Sequence, residues 1–404
     1  MMSRGAGKTA LRAAFTMQAE ACETLGSPFM ARMFQILAKE ESMKQQPQRL
    51  RSRMENWPGD PTFHGDVVAL RLAGALHRIV LEGKDSNLGS VYPPPKEKEV
   101  DDAKILSAIT GACAKHEDYV LNRLKSPPQT NEIRRCNALF PAFLRVSAMY
   151  AKPLMLLELG SAAGLNLAWD KYHYNYGGLE WGNSSSKVTL KPEIRGNNNP
   201  LCMSKMNDID VKISGRFGCD LNPLQVLEGK DDDKKRLLSY IWPDQQDRLK
   251  NTNGAIEIAQ QLPINLVKCG AEKWLEQKLV KEAAETKGDK SGSATVIYNT
   301  IAWQYFPADV QKSARATILN AMQNAEPSAP VIWIEMEADK EKPWANITMT
   351  VSHEASYDIL NHENQKSEVD ELQGKLAVNI KPYTAVTLGR VDFHGRWIDW
   401  NPLM

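Results

Sequence analysis

Two acids and two glycines are the residues in this chain whose types and spacing can do chemistry. Glu158-Leu-Gly160-Ser-Ala-Ala-Gly164 sets a carboxylate two residues ahead of a turn in which two glycines let the backbone lie close to a ligand. The free N–H groups of a helix that starts after such a turn favour a polar or negatively charged group. Asp220, in Arg216-Phe-Gly-Cys-Asp-Leu-Asn-Pro223, is the second acid. A carboxylate at the end of a strand can accept hydrogen bonds from the vicinal hydroxyls of a ribose, as it does in dinucleotide folds. The closely paired glycines of the NAD fingerprint, Gly-x-Gly-x-x-Gly, are missing from the turn, which argues against a dinucleotide oxidoreductase. The simpler reading of the segment is a βα turn that only packs a helix on a sheet.

The elements around these residues are legible from periodicity. Met155 to Leu159 is an apolar run bounded by Pro153 and Gly160, the pattern of a strand buried on both faces of a parallel sheet. Leu165, Ala168, Trp169 and Tyr172 recur at helical spacing, so a helix is expected from Gly164 onward. Asp220 ends a second strand. Ile264 to Ala271 reads as a third, ending in glycine and followed by a helix with Trp274 and Leu275. Ala294 to Thr300 reads as a fourth, followed by a helix over about 308–323, and Pro330 to Glu337 as a fifth with acids at its carboxyl end. Alternation of this kind implies a parallel sheet with helices on both faces, whose ligands bind beyond the carboxyl ends of the strands. Ile347 to His353 and Tyr383 to Trp400 alternate and turn at Gly395, which predicts an antiparallel pair at the sheet edge.

Between the first helix and the second strand the character changes. Tyr172, Tyr174 and Tyr176 alternate, Lys187 to Leu190 alternates again, and Asn197-Asn-Asn-Pro200 breaks the chain, so a β-rich insertion is expected at about 173–215. The tyrosine stripe reads as one face of a hairpin. The usual offset from a glycine turn to the ribose acid is roughly 20 residues, so the insertion must loop out if Asp220 is to serve.

Residues 1–150 read as an all-α domain and 151–404 as the α/β domain. Apolar stripes run through Leu11, Phe15, Cys22 and Leu25, then Phe29, Met33 and Leu37, and Val67 to Leu81 is helical and closes at Gly83. His77 in that helix is read as a core histidine. Tyr92-Pro-Pro-Pro95 and Lys96-Glu-Lys-Glu99 form a stiff, solvated link. Further on, Asn131 suits an N-cap and Glu132 the first turn of a helix running to about Tyr150, bent at Pro141. Gln129, Asn131 and Glu132 have two readings, a well-capped helix start or polar groups lining the glycine-turn crevice. Gly5-Ala-Gly-Lys-Thr9 resembles the end of a P-loop, but the first glycine of that motif would fall at Met2 and no strand can precede it.

The chain has 404 residues, 42% of them apolar and 25% charged, with a net charge of +1. Such a balance gives no whole-chain signal for nucleic acid or an anionic membrane surface. The six cysteines never form Cys-x-x-Cys, so neither a zinc ribbon nor a redox pair is indicated and no metal is expected. No apolar run is long enough to cross a bilayer and Ala10 to Glu23 lacks a signal-peptide core, so a cytoplasmic protein is expected.

The pattern Glu158-x-Gly160-x-x-x-Gly164, with Gly218-Cys-Asp-Leu-Asn-Pro223, resembles the first two motifs of class I S-adenosylmethionine (SAM)-dependent methyltransferases. Together with Leu72-Ala-Gly-Ala-Leu-His77, Gln129-Thr-Asn-Glu132, Trp169-Asp170, Trp242-Pro243 and His394-Gly-x-Trp397, these segments are similar to an uncharacterised bacterial family, domain-of-unknown-function family 2332, along nearly the whole chain. The resemblance implies a Rossmann-like methyltransferase sheet, mostly parallel with an antiparallel edge pair, behind a helical amino-terminal region. It implies that Glu158, Gly160, Ser161 and Gly164 hold the methionine part and the carboxylate of SAM, with Asn166 also among the cofactor-binding residues. Asp220 would take the ribose, with Leu221 beside it, Gly270 and Ala271 would border the adenine, and Asn299 would lie near the methyl group. Asn299, Tyr305, Glu335 and His394 are candidates for chemistry at the acceptor, with Gln129, Asn131 and Glu132 around it. Two positions depart from the methyltransferase pattern: Gly270 stands where an acid is frequent, and Tyr298-Asn-Thr300 replaces the Asp/Asn-Pro-Pro-aromatic signature of amino-group methyltransferases, leaving the acceptor atom unassigned.

Three functions are therefore open. The first is a SAM-dependent methyltransferase acting on a small molecule or a macromolecular side chain. The second is a non-catalytic protein that binds a SAM-like or nucleotide-like ligand, or docks a partner. The third is an RNA-modifying enzyme, which would need a basic surface around Gln48 to Arg53. Oligomeric state leaves no mark on the sequence.

Overall fold

The computed structural model describes residues 4–93, 100–202, 209–281, 292–352 and 383–401. Most of the expected proline-rich link, most of the polar loop at Gly288 to Gly292, and His353 of the expected tail strand lie outside the described residues. The chain divides into two units, residues 1–130 with 228–252, and residues 131–227 with 253–404.

In the first unit the apolar stripes become helices Arg4–Thr24, Pro28–Ala38, Glu40–Lys44, Gln48–Glu55, Val68–Leu81, Ser86–Val91, Asp102–Lys115 and Glu117–Arg123. They share one core, with Phe15, Phe34, Leu50, Leu72, Leu76, Ile79 and Ile109 buried in it. The later segment 228–252 supplies helix Asp231–Ser239, acids first and a base in its last turn, and sends Trp242 into the same core. Arg78 anchors it, donating at 2.6 Å to both Glu82 and Asp232. Asp244 caps helix Pro28–Ala38 by accepting from the Phe29 N–H at 3.0 Å, the role its own Ser27 does not fill. His77 is a core histidine as expected: its Nδ1 lies 3.2 Å from the Ser239 carbonyl, and burial pushes its pKa down to about 4. Gly5 to Thr9 is part of a helix, not a phosphate loop. In the basic run, Arg49 pairs with Asp118 at 2.9 Å, Arg51 donates to the Lys44 carbonyl, and Arg53 lies over the Trp57 ring at 4.8 Å.

The second unit is a mixed α/β structure with a large, mostly parallel central sheet. Its strands in chain order are β1 (Leu154–Leu159), β2 (His173–Tyr176), β3 (Leu179–Trp181), β4 (Thr189–Leu190), β5 (Glu193–Arg195), β6 (Ile213–Asp220), β7 (Ile264–Lys268), β8 (Ala294–Thr300), β9 (Val331–Ala338), β10 (Ala345–Ser352), β11 (Tyr383–Val391) and β12 (Trp397–Trp400). The sheet order is β5-β12-β11-β10-β9-β8-β1-β6-β7, parallel from β9 through β7. Its five parallel strands follow the doubly wound order, third, second, first, fourth, fifth. Leu157, Leu159, Cys219, Ile297 and Trp333 bury one face under helices Ala271–Glu276 and Ala308–Gln323.

Two expectations need correction. The antiparallel part is not an edge pair. Gly395, at φ +68°, splits the tail into the hairpin β11–β12, and β5 from the insertion pairs in parallel outside β12, so the insertion itself supplies the sheet edge. The element after Gly164 is not an α-helix either but the short 3₁₀ helix Leu165–Lys171. Side chains take the carbonyls an α-helix would use. The Tyr172 hydroxyl donates to Leu165 O at 2.6 Å, the Tyr174 hydroxyl to Trp169 O at 2.9 Å, and Arg216 to Leu167 O.

The tyrosine stripe explains Pro141 as well. A proline inside helix Cys136–Tyr150 removes the N–H that would bond the carbonyl four residues earlier, that of Asn137. The Tyr176 hydroxyl donates to that carbonyl, while Tyr174 stacks on Phe140 with centroids 4.0 Å apart and pairs across β2–β3 with Trp181. Tyr176→Phe is expected to lower stability by about 1–2 kcal/mol, because it leaves a buried carbonyl without a donor. Urea denaturation measures this, and a change below about 0.3 kcal/mol would refute the role.

Candidate functional site

The carboxyl edge of the parallel strands carries most of the residues singled out above. The glycine turn leaves β1 with Gly160 at φ +68°, Ala162 at +50° and Gly164 at +71°, a backbone path that only close internal support holds. Its N–H groups are fully accounted for. Gly160 and Ser161 donate to Cys219 O at 2.9 and 3.0 Å, Ala162 to the Asp220 carboxylate at 3.0 Å, and Gly164 to Ser161 O at 2.7 Å. Ala163 and Leu165 both donate to Asn131 Oδ1, at 3.3 and 2.9 Å. The expected free amides at a helix start are therefore occupied, and Asn131 is a clamp on the glycine turn, not the N-cap of its own helix. Glu132 takes the capping place: its carboxylate accepts from the Arg134 N–H and pairs with the Arg134 side chain, both at 3.1 Å. Gln129 belongs to the first unit.

Gly160 and Gly164 are needed for space as well as for φ. A Cβ on Gly160 would lie 2.8 Å from the Ala302 methyl, and one on Gly164 would lie 2.8 Å from Leu266. The loop after β8 thus sits against the glycine turn. Glu337 holds it there, its Oε1 accepting from Asn299 Nδ2 at 2.8 Å and from the Ala302 and Trp303 N–H groups at 3.0 and 3.1 Å.

Register decides which candidates meet. Glu158 pairs across β1–β8 with Tyr298, and Leu159 with Asn299, so Glu158 and Asn299 point to opposite faces. Glu158 is buried. Its Oε1 accepts from Asn166 Nδ2 at 3.4 Å, and Asn166 in turn accepts from Cys136 Sγ at 3.3 Å. Glu158 Oε2 and the Tyr298 hydroxyl are both enclosed without a partner in hydrogen-bond geometry. Burial pushes the Glu158 carboxyl up to about 8, with the Asp220 charge adding to it and Asn166, Tyr298 and Arg135 opposing, so the group is mostly neutral at pH 7. On the other face, Asn299 accepts from Trp333 Nε1 at 2.9 Å. Glu335, its register partner, is raised to about 7 by burial against the opposing Arg315, whose guanidinium lies 3.8 Å away and over the Trp333 ring.

Asp220 ends β6, next to β1, on the Glu158 side. Its two oxygens accept from Ala162 N and from Asn222 N at 3.0 and 2.8 Å, leaving each a further lone pair, and the side chain is partly open to solvent. Gly270 reaches the same edge because the Cys269 N–H donates to Asp220 O at 3.0 Å, but Ala271 turns into the core. Leu221 is 66% exposed and Tyr305, in the turn after β8, is 75% exposed, the two most exposed large apolar side chains among the described residues. His394 lies in the β11–β12 turn. That turn is seated on the 131–135 segment: a Cβ on Gly395 would lie 2.0 Å from Arg134 O, and Asn137 Nδ2 donates to Gly395 O at 2.8 Å.

Three residues at this edge are given no role by the sequence. Tyr298 and Glu337 are visible only through register and loop contacts, and Arg135 only through its fold partners, Phe393 O at 3.0 Å and Thr300 O at 2.9 Å. The His394-Gly-x-Trp397 and Gln129-Thr-Asn-Glu132 motifs now have a physical basis, because Gly395 and Asn131 each allow a backbone approach that builds the edge.

Over residues 12–400 the chain matches the family described as "uncharacterized protein conserved in bacteria (DUF2332)", and it belongs to that family. No curated protein matches it. Among the described residues no helix is long and apolar enough to cross a membrane, and no cluster of His, Cys, Asp and Glu is arranged to hold a metal ion.

Proposed function

We propose that the carboxyl edge of this sheet binds the adenosyl part of SAM and that the protein is a SAM-dependent methyltransferase with a small-molecule or side-chain acceptor. The observation that carries the reading is the pairing of Asp220 with Leu221. A partly open carboxylate with spare lone pairs ends the strand beside the glycine turn, and the next residue keeps an apolar side chain in water. An exposed leucine beside a polar acceptor suits a flat base attached to a ribose, and a doubly wound sheet binds ligands at this edge. SAM supplies a methyl group on a cationic sulfonium. The chain's own contribution is alignment of the two reactants. Tyr305 stands exposed at the β8 end for the acceptor, and Glu335, near neutral pH in its ionisation, is suited to move a proton, although it lies on the face away from Glu158. The cytoplasm fits such an enzyme, since its cysteines are free thiols and four of them are buried.

Titration calorimetry with S-adenosylhomocysteine (SAH) tests the reading. Wild type is expected to bind, and Asp220→Asn and Leu221→Glu are each expected to bind at least about tenfold more weakly, the loss of charge-assisted hydrogen bonds to the ribose being worth about 1.5–3 kcal/mol. The side chain of Leu221 is solvent-exposed, so its replacement leaves folding intact. Unchanged affinity in both variants would refute the site.

A second reading has its own observation. Every amide from Gly160 to Leu165 is internally bonded and Ala302 fills the space over Gly160, which suits a ligand-binding protein without catalysis. Incubating the protein and cell extract with methyl-labelled SAM separates the two, since only the enzyme transfers label.

A further inference from the structure

Among the described residues, the guanidinium groups around this edge are paired, with one exception. Arg134 meets Glu132, Arg216 meets Asp170 and Arg396 meets Asp392. Arg135 has no carboxylate within ion-pair distance among the described residues. Its Nε and Nη1 reach only the backbone carbonyls of Phe393 and Thr300, and its Nη2 makes no hydrogen bond among them. These two contacts fix the fork in place at the end of β8, where the loops after β1 and β8 leave in opposite directions, the switch point at which doubly wound sheets take ligands. Arg135 is half-buried, and a held guanidinium with unused N–H groups matches a carboxylate in a bidentate way. The neighbouring acids do not satisfy it. Glu132 is engaged by Arg134 and Glu158 carries its proton below about pH 8, while Glu337, beyond ion-pair distance, takes three donors of the β8 region on Oε1 and keeps Oε2 enclosed without a partner. Burial also pulls the Arg135 pKa downward, although Glu132, Glu337, Tyr305 and Glu158 oppose the shift.

We propose that Arg135 is an anion-recognition residue, holding a carboxylate of the bound ligand with the N–H groups that the backbone leaves unused. The carboxylate has two possible sources, the aminocarboxypropyl tail of the cofactor or the acceptor itself, and only the first rests on the adenosyl reading above.

Full-length wild type, Arg135→Gln and Arg135→Lys are titrated with SAH, with 5′-methylthioadenosine, which lacks the tail, and with malonate as a plain dicarboxylate probe read by thermal shift. If the tail is held, SAH binding falls at least tenfold in Arg135→Gln while methylthioadenosine binding is unchanged. If the acceptor supplies the carboxylate, SAH is unaffected and malonate stabilises wild type but not the variants. Arg135→Lys keeps the charge and loses the fork, so it gives an intermediate loss in whichever arm responds and decides the matter should the glutamine variant fail to fold. SAH and malonate responses in the variants within twofold of wild type overturn the proposal, as does a wild type indifferent to all three. A wild type that ignores both adenosyl ligands yet responds to malonate through Arg135 overturns the adenosyl reading and leaves the anion site standing.

Discussion

Asp170→Ala is expected to remove about 3–5 kcal/mol of stability, a large part of what a domain of ordinary stability has. Arg216 on β6 meets Asp170 with both ends of its fork, at 2.6 and 2.8 Å, and both side chains are buried. The same guanidinium donates to Leu167 O, so the pair ties the 3₁₀ helix after the glycine turn to the strand that ends in Asp220. Removing the carboxylate leaves a cation in a dry place with one carbonyl as its partner, which costs far more than the pair contributes when intact. Replacing both partners, Asp170→Leu with Arg216→Met, is expected to cost much less than the single change, because no charge is then left behind. Chemical denaturation of the three variants measures this. A single-variant loss below about 1 kcal/mol would contradict the buried pair.

Glu158→Gln is expected to flatten the pH dependence of stability. Burial raises the folded-state carboxyl from 4.5 to about 8, so between those values the folded protein holds a proton that the unfolded chain has released. Stability from this group is therefore complete below about pH 4.5 and declines as pH rises through the folded value. Glu335, raised to about 7, contributes with the same sign over a narrower window. Glutamine resembles the neutral acid and does not titrate. Wild type is expected to lose on the order of 2–4 kcal/mol more than Glu158→Gln between pH 5.5 and 8.5, in denaturation curves taken at constant ionic strength. Parallel curves would show that Glu158 is ionised and paired in the folded state.

The parallel strands β1, β7, β8 and β9 were legible as short apolar runs, with glycine after β1 and β7 and acids at the end of β9 marking where they stop. Asp220 was legible as an acid at the β6 terminus, and the β-rich insertion through its alternating tyrosines. The α-helix expected after Gly164 follows from the spacing of Leu165, Ala168, Trp169 and Tyr172, a pattern that a 3₁₀ turn shares over seven residues. The hydroxyls and guanidinium that decide between the two come from Tyr172, Tyr174 and Arg216, and their targets are fixed only in three dimensions. The same holds for Asn131, which has the composition of a cap and acts as a clamp on residues more than thirty positions later. The outer place of β5 and the seating of the Arg135 fork on the carbonyls of Phe393 and Thr300 are properties of chain return, with no local periodicity to announce them. Membership of the family fixes relatedness and leaves the chemistry to the edge itself.

A crystal structure of the protein grown with SAH shows whether this edge holds the adenosyl group. The ribose hydroxyls are expected within hydrogen-bond distance of the Asp220 carboxylate, with the adenine lying on Leu221. SAH bound away from the β6 terminus, or a saturated crystal with Asp220 and Leu221 still facing only solvent, would contradict it.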